Sequence, residues 1–291
     1  METTKNMENL ELRRTLAATW CAANLIRSNL EQLIQKEDQV NPPSDYACWS
    51  LIGHILLNPE STEDRQCQLY ALWQMAHLFC DLLDKVKDEA PKGFKFSLKG
   101  PRFATNRRVL KEAGDSIKRF LDSGVTELGD RLGPLLWQFA PTKKFDPADF
   151  GGFLELLPAN FDGQKLRHVI EVRHDSFCNG EFIALLRKFE MPVVYTDHVK
   201  YPNIADATGA FIYARLQRGK DTVATAYPPK EIKAWAGRLR HMAQGEEPAD
   251  LPHIAKPAER KPAPREVFAY VIHEGKIRAP AGAMALIEAV S

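Results

Sequence analysis

The sequence predicts an α/β fold built on a parallel sheet. Two observations carry this. From about Glu89 onward, six short apolar runs of strand length alternate with segments of helical period, the signature of βα units. Those runs keep finishing in polar or charged residues: Lys99, Gln138, Glu171, Arg173, Asp197 and Arg215. A charge is costly to bury unless it is paired. Several charges at strand ends therefore mark one rim of the sheet as a site.

The elements follow in order. Residues 1 to about 85 read as helical, because ELRRTLAATWCAANLIRSNLEQLIQ and QLYALWQMAHLFCDLLDKV space their apolar residues at helical period. NPPSDY breaks the chain between them. FKFSLK is the first strand of the alternating part, and Gly100-Pro101 turns out of it. RRVLKEAGDSIKRFLDSG is amphipathic and predicts one helix, followed by the strand GPLLWQF. DPADFGGFLELL opens with Asp146 as N-cap and Pro147 at the first helical position. The strand HVIEVRH, the helix GEFIALLRKFE and the strands PVVYTDH and AFIYARLQ come next. The helix PPKEIKAWAGRLRHMAQG follows, then EEPADLPHIAKPAERKPAPR, whose proline and charge predict an exposed loop. REVFAYVIH and PAGAMALIEAV supply a last strand and a short helix.

Composition narrows the function classes. A hydrophobic share of 44% and a charged share of 26% suffice for a substantial core. The formal net charge of +1 provides no global field to recruit nucleic acid or an acidic membrane. No apolar run approaches membrane-spanning length, and the polar start METTKNMENLELRR is unlike a secretory signal, so cytoplasmic residence is expected. Five scattered cysteines without CxxC spacing read as reduced thiols, neither a disulfide framework nor a zinc site. Neither GxGxxG nor GxxxxGK[ST] occurs, and no cofactor is expected.

FKFSLKGPRFATNRRVL, GPLLWQFAPTKKFDPADF, RHVIEVRHDSF, YARLQ and the ending RAPAGAMALIE together resemble the DUF72 (YecE-like) family over residues 86–291. The resemblance implies a TIM-like (β/α) barrel of unassigned activity, similar in overall shape to xylose-isomerase and endonuclease IV type barrels. The front departs from that pattern. The family's Gly-x-x-x-Trp strand and its following I-E-I-N-x-T-[FY]-Y strand are absent, so residues 1–85 stand as a helical segment where the first two barrel strands belong. Two explanations remain open: a genuine helical replacement, or an upstream frameshift. Reading the codons from Asp64 one nucleotide later permits I-x-N-A-S-Y-T-x-x-G-K-W-P-T-S-F, close to the family's second strand and the residues after it.

Period 2 puts Val169, Glu171 and Arg173 on one strand face, and Tyr213, Arg215 and Gln217 on another. Glu171 reads as a general acid or base with Arg173 as an anion clamp, or else the two form a structural salt bridge. Arg215 is a second anion clamp, or pairs across strands with Asp197 or Glu171. Lys99 is an electrophilic helper at a strand end, and Asp197 an orienter or second carboxylate. Gln138 and His174 stand on the rim, with Asp175 capping the turn after His174. Tyr227, before Pro228, is expected to be exposed and available to a ligand; Trp137 is expected in the core. His198, His273 and Glu274 are too scattered for a metal site, so none is expected. The partner these residues imply is a small anionic ligand or a nucleic-acid fragment. Three functions fit: an enzyme on a phosphorylated or other anionic substrate, a non-catalytic anion or nucleic-acid binding module, or an inactive frameshifted family member.

Overall fold

The computed structural model describes residues 93–257, 262–272 and 277–291. The expected helical segment 1–85, with the frameshift reading, and His273 and Glu274 lie outside the described residues. The chain divides into two compact units, one holding Ser97–Ile117 and Gly133–Ser291, the other Lys118–Leu132 and the described residues 93–96.

The described elements are mixed α and β. In chain order they are β1 (Phe96–Lys99), the helical turn α1 (Arg102–Thr105), α2 (Gly114–Leu121), β2 (Leu132–Gln138) and α3 (Pro147–Glu155). A two-residue hairpin pair follows, β3 (Asn160–Phe161) and β4 (Gln164–Lys165), then β5 (His168–Glu171), α4 (Gly180–Lys188), β6 (Val194–Asp197) and β7 (Phe211–Leu216). The last are α5 (Pro229–Ala243), β8 (Glu266–Val271) and α6 (Ala279–Val290).

Local chemistry sets these boundaries. The Asp146 side chain accepts from the Asp149 amide at 2.9 Å and starts α3; Asn179 does the same for α4 through the Phe182 amide, also at 2.9 Å. The single helix expected over 107–124 is broken into a 3-10 turn, Leu110–Glu112, and α2. The Lys111 amide donates to the Asp149 carboxylate at 3.1 Å, and Lys143 Nζ donates to the carbonyls of Arg107 and Arg108 at 3.0 and 2.9 Å. These backbone groups have tertiary partners, which leaves no regular helical ladder there. Asp162 and Gly163, at φ 45° and 75°, join β3 to β4 in the doubly left-handed geometry that two-residue hairpins favour. The loop expected to be exposed over 246–265 is instead pinned in part. Leu251 is buried, and the Asp206 carboxylate accepts from the amides of Ile254 and Ala255 at 2.8 Å each.

The strands stand in the orders β1-β2-β5 and β6-β7-β8, and a parallel bridge between Ile170 and Val193 links the two sets. The pairs β2–β5, β6–β7 and β7–β8 are parallel. This sheet curls. Four strand steps of about 4.8 Å separate β1 from β7 on a flat sheet, roughly 19 Å, yet Ser97 Oγ lies 3.0 Å from the Tyr213 hydroxyl. Arg167, beside β5, likewise reaches Glu266 on β8. Among the described residues no pairing joins β8 to β1.

The concave face is layered. At the strand N-terminal ends Arg167 pairs with Glu266 and lies over Phe268, 5.0 Å from the ring centre. Leu136, Val169, Val194, Phe211 and Tyr213 form an apolar middle. The polar residues stand beyond it, at the C-terminal ends. On the convex face Trp137 and Phe139 pack edge-on against Phe153, with Phe150 beside Phe139. Tyr195, Ala214, Leu216 and Val271 are covered by Trp235 and Leu239 of α5 and Leu286 of α6. Among the described residues no helix is long and apolar enough to cross a membrane.

Candidate functional site

Glu171 ends β5 on the concave face, and its side chain is 0% exposed. Its Oε1 accepts from Arg173 Nε at 2.9 Å and from Gln138 Nε2 at 2.7 Å; its Oε2 accepts from Arg215 Nη1. Strand register explains the convergence, since Gln138 pairs with Glu171 and Thr196 pairs with Arg215. Lys99, at the end of β1, donates from Nζ to Gln138 Oε1 at 2.7 Å. Partial desolvation holds the ammonium of the solvent-exposed Lys99 below its usual pKa, and Arg215, Arg173 and Arg102 push the same way against Glu171.

The two arginines are fixed differently. Arg173 binds Glu171 through Nε, and the Tyr201 ring covers its guanidinium, 4.6 Å from carbon to ring centre. Tyr201 stacks in turn on His198 at 4.3 Å. Arg215 binds through Nη1, and its buried Nε has no hydrogen-bond partner among the described residues. Thr196 Oγ1 and Gln217 Nε2 are in the same condition.

Other residues singled out in the sequence fall elsewhere. Asp197 alternates with Thr196 and belongs to the convex side, with Tyr195. Its Oδ1 meets Arg218 Nε at 2.7 Å and its Oδ2 accepts from the Tyr227 hydroxyl at 3.3 Å. Burial raises the Asp197 pKa against the opposing pull of Arg218. The structure does not bring Asp197 to Glu171. Tyr227, expected at the surface, is 1% exposed and packs in the convex core, because its hydroxyl finds both Asp197 and the Arg218 amide, the latter at 2.8 Å. His174, not Asp175, caps the turn Asp175–Phe177, its Nδ1 accepting from the Ser176 amide at 3.0 Å. Tyr213 lies in the apolar middle layer, stacked on Tyr270 at 4.8 Å.

Sequence reasoning passed over Thr196, Ser97 and Tyr201. Alternation along PVVYTDH was the available signal for Thr196, since it shares parity with Val194. Ser97 had the same signal beside Lys99, whereas Tyr201 lies in a loop where no period applies. Among the described residues no group of three or more His, Cys, Asp or Glu side chains is placed to hold a metal ion.

A family described as "Protein of unknown function DUF72" matches residues 81–291. The crystal structure of a DUF72 family protein from Thermotoga maritima MSB8 is similar at 18% identity and a TM-score of 0.49, covering 70% of this chain and 75% of the other. No curated protein matches the chain.

Proposed function

The chain belongs to the DUF72 family of proteins of unknown function, and on that footing we propose that it is an enzyme acting on a phosphorylated or otherwise anionic substrate at the C-terminal ends of a TIM-like strand arrangement. One observation carries the reading: two arginines are tethered to one buried carboxylate, Glu171. A carboxylate that already accepts three hydrogen bonds from the protein has little acceptor capacity left for a substrate. Glu171 is therefore the anchor that orients Arg173 and Arg215, and the arginines are the anion clamps. Lys99 stands on the same rim with its proton held less tightly than usual, and it is the group suited to proton transfer. Asp197, on the opposite face, acts through Arg218 and Tyr227 and not on the substrate.

A second reading is favoured by the same geometry. Glu171 is taken up by three protein donors and Asp197 by Arg218 and Tyr227, which suits a module that binds an anion and performs no chemistry. Thermal melting against inorganic phosphate, at ionic strength matched with chloride, tests the property both readings share. Phosphate raises the melting temperature by mass action, and Arg173→Ala or Arg215→Ala shrinks the rise. No stabilisation beyond that given by chloride overturns both readings. Turnover that falls in Lys99→Met while phosphate binding persists separates the enzyme from the module.

A further inference from the structure

Three buried polar atoms stand together on the concave face with no partner among the described residues: Thr196 Oγ1, Arg215 Nε and Gln217 Nε2. Thr196 is 1% exposed and sits opposite Arg215 in the β6–β7 register. Gln217 is the next residue on the same face beyond Arg215, about 6.6 Å further along an extended chain. A buried donor left unpaired is destabilising, and native folds leave few of them. Two on one rung and the third at the next position on the same face, with the tethered Arg173 nearby, are explained when a ligand completes them.

Their chemistry defines that ligand. Arg215 Nε and Gln217 Nε2 can only donate, and the Thr196 hydroxyl can do so. The acceptors close by are already engaged, Glu171 by three donors and Gln138 Oε1 by Lys99. The missing group is therefore rich in acceptors. A carboxylate brings two oxygens in one plane. A phosphate monoester brings three terminal oxygens in a tetrahedral array and, near neutral pH, close to two negative charges. Three cationic side chains, Lys99, Arg173 and Arg215, surround a single carboxylate here, an excess that suits a dianion. The donors also come from several strands, so they surround a ligand and do not merely face it. A phosphodiester carries one charge and has substituents on two sides, and it fits such an enclosure less well.

Resting on the anion-binding reading of this same site, we propose that the ligand is a small phosphomonoester whose phosphate is seated against Thr196, Arg215 and Gln217. Arg173, with its ring contact to Tyr201, faces the remainder of that phosphate from the β5 side.

Calorimetric titration of the full chain tests this with glycerol 3-phosphate, dimethyl phosphate, acetate and a 5′-phosphorylated oligonucleotide. Glycerol 3-phosphate is expected to bind at least about tenfold more tightly than dimethyl phosphate or acetate. Thr196→Val keeps the shape and removes the unpartnered hydroxyl. It is expected to weaken glycerol 3-phosphate binding about fivefold to tenfold while raising the melting temperature of the unliganded protein. Only a hydroxyl reserved for a ligand gives both effects. If Thr196→Val binds as well as the parent, or melts lower, that hydroxyl serves the fold and the proposal is overturned. Equal binding of dimethyl phosphate or acetate also overturns it, with the anion site intact. Tighter binding of the phosphorylated oligonucleotide replaces the small ligand with a nucleic-acid end. If none of these anions binds, the anion-binding reading fails as well.

Discussion

Replacing Glu171 by glutamine keeps the outline of the side chain and removes the one charge that Arg173 and Arg215 share. Removing one partner of a buried ion pair is strongly destabilising, so Glu171→Gln is expected to lower stability by about 3 kcal/mol, read as the denaturation midpoint. A variant as stable as its parent would show that the arginines do not depend on that charge. His168 gives a second prediction. Trp137 Nε1 donates to its Nδ1 at 3.0 Å, and its Nε2 lies 2.8 Å from the Pro158 carbonyl. Burial lowers its pKa from 6.5 to about 4, so between these values the unfolded chain takes up a proton that the folded chain refuses. Stability is fully present above pH 6.5 and is lost as pH falls towards 4, by about 3 kcal/mol. His168→Gln retains a donor and an acceptor and is expected to flatten that part of the pH–stability curve; an unchanged slope would assign it to another group. At this scale alternation made the shared faces of Glu171 with Val169, and of Arg215 with Tyr213, legible in the sequence. The same rule, carried through PVVYTDH, sends Thr196 to the concave face with Val194 and Asp197 to the convex face with Tyr195. The burial of Tyr227 was not legible, because its partners Asp197 and Arg218 lie up to 30 positions away in the chain.

At the scale of elements, the six strands of the curled sheet were all legible as apolar runs, and α3 was legible through its cap. The break inside 107–124 was not. It depends on Lys143 and Asp149, which reach the backbone from more than 30 residues away. The β3–β4 hairpin was written in the Asp-Gly pair but was too short to stand out as strands. Gly163 in that turn has φ 75°, and a methyl group there would meet nothing within 4 Å. Gly163→Ala therefore reports conformational strain alone and is expected to cost about 1 kcal/mol in chemical denaturation. A neutral result would mean that the turn relaxes to another type.

Across the whole molecule, the contact between Ser97 and Tyr213 joins strands four steps apart and residues 116 positions apart. Burial holds the Tyr213 phenol above its usual pKa range, so the hydroxyl stays protonated and able to donate. Ser97→Ala and Tyr213→Phe are each expected to cost about 1 kcal/mol, and the double variant less than their sum by at least about 0.5 kcal/mol. Strict additivity in the cycle would deny that this pair holds the curl. The curl itself was not legible, since strand patterns set which face is apolar but not how far the sheet bends. The tethering of Arg215 to Glu171 has a consequence for the order in which the chain can form. During synthesis Glu171 leaves the ribosome 44 residues before its second cation. Until Arg215 follows, β5 can bury Glu171 with only Arg173 and Gln138 to compensate it. β5 then lacks the tie from Glu171 to β7, and a nascent chain arrested before residue 215 is expected to be more open to proteases along β5 than the full chain. The same group that aims two cations at the rim ties the early half of the sheet to the late half.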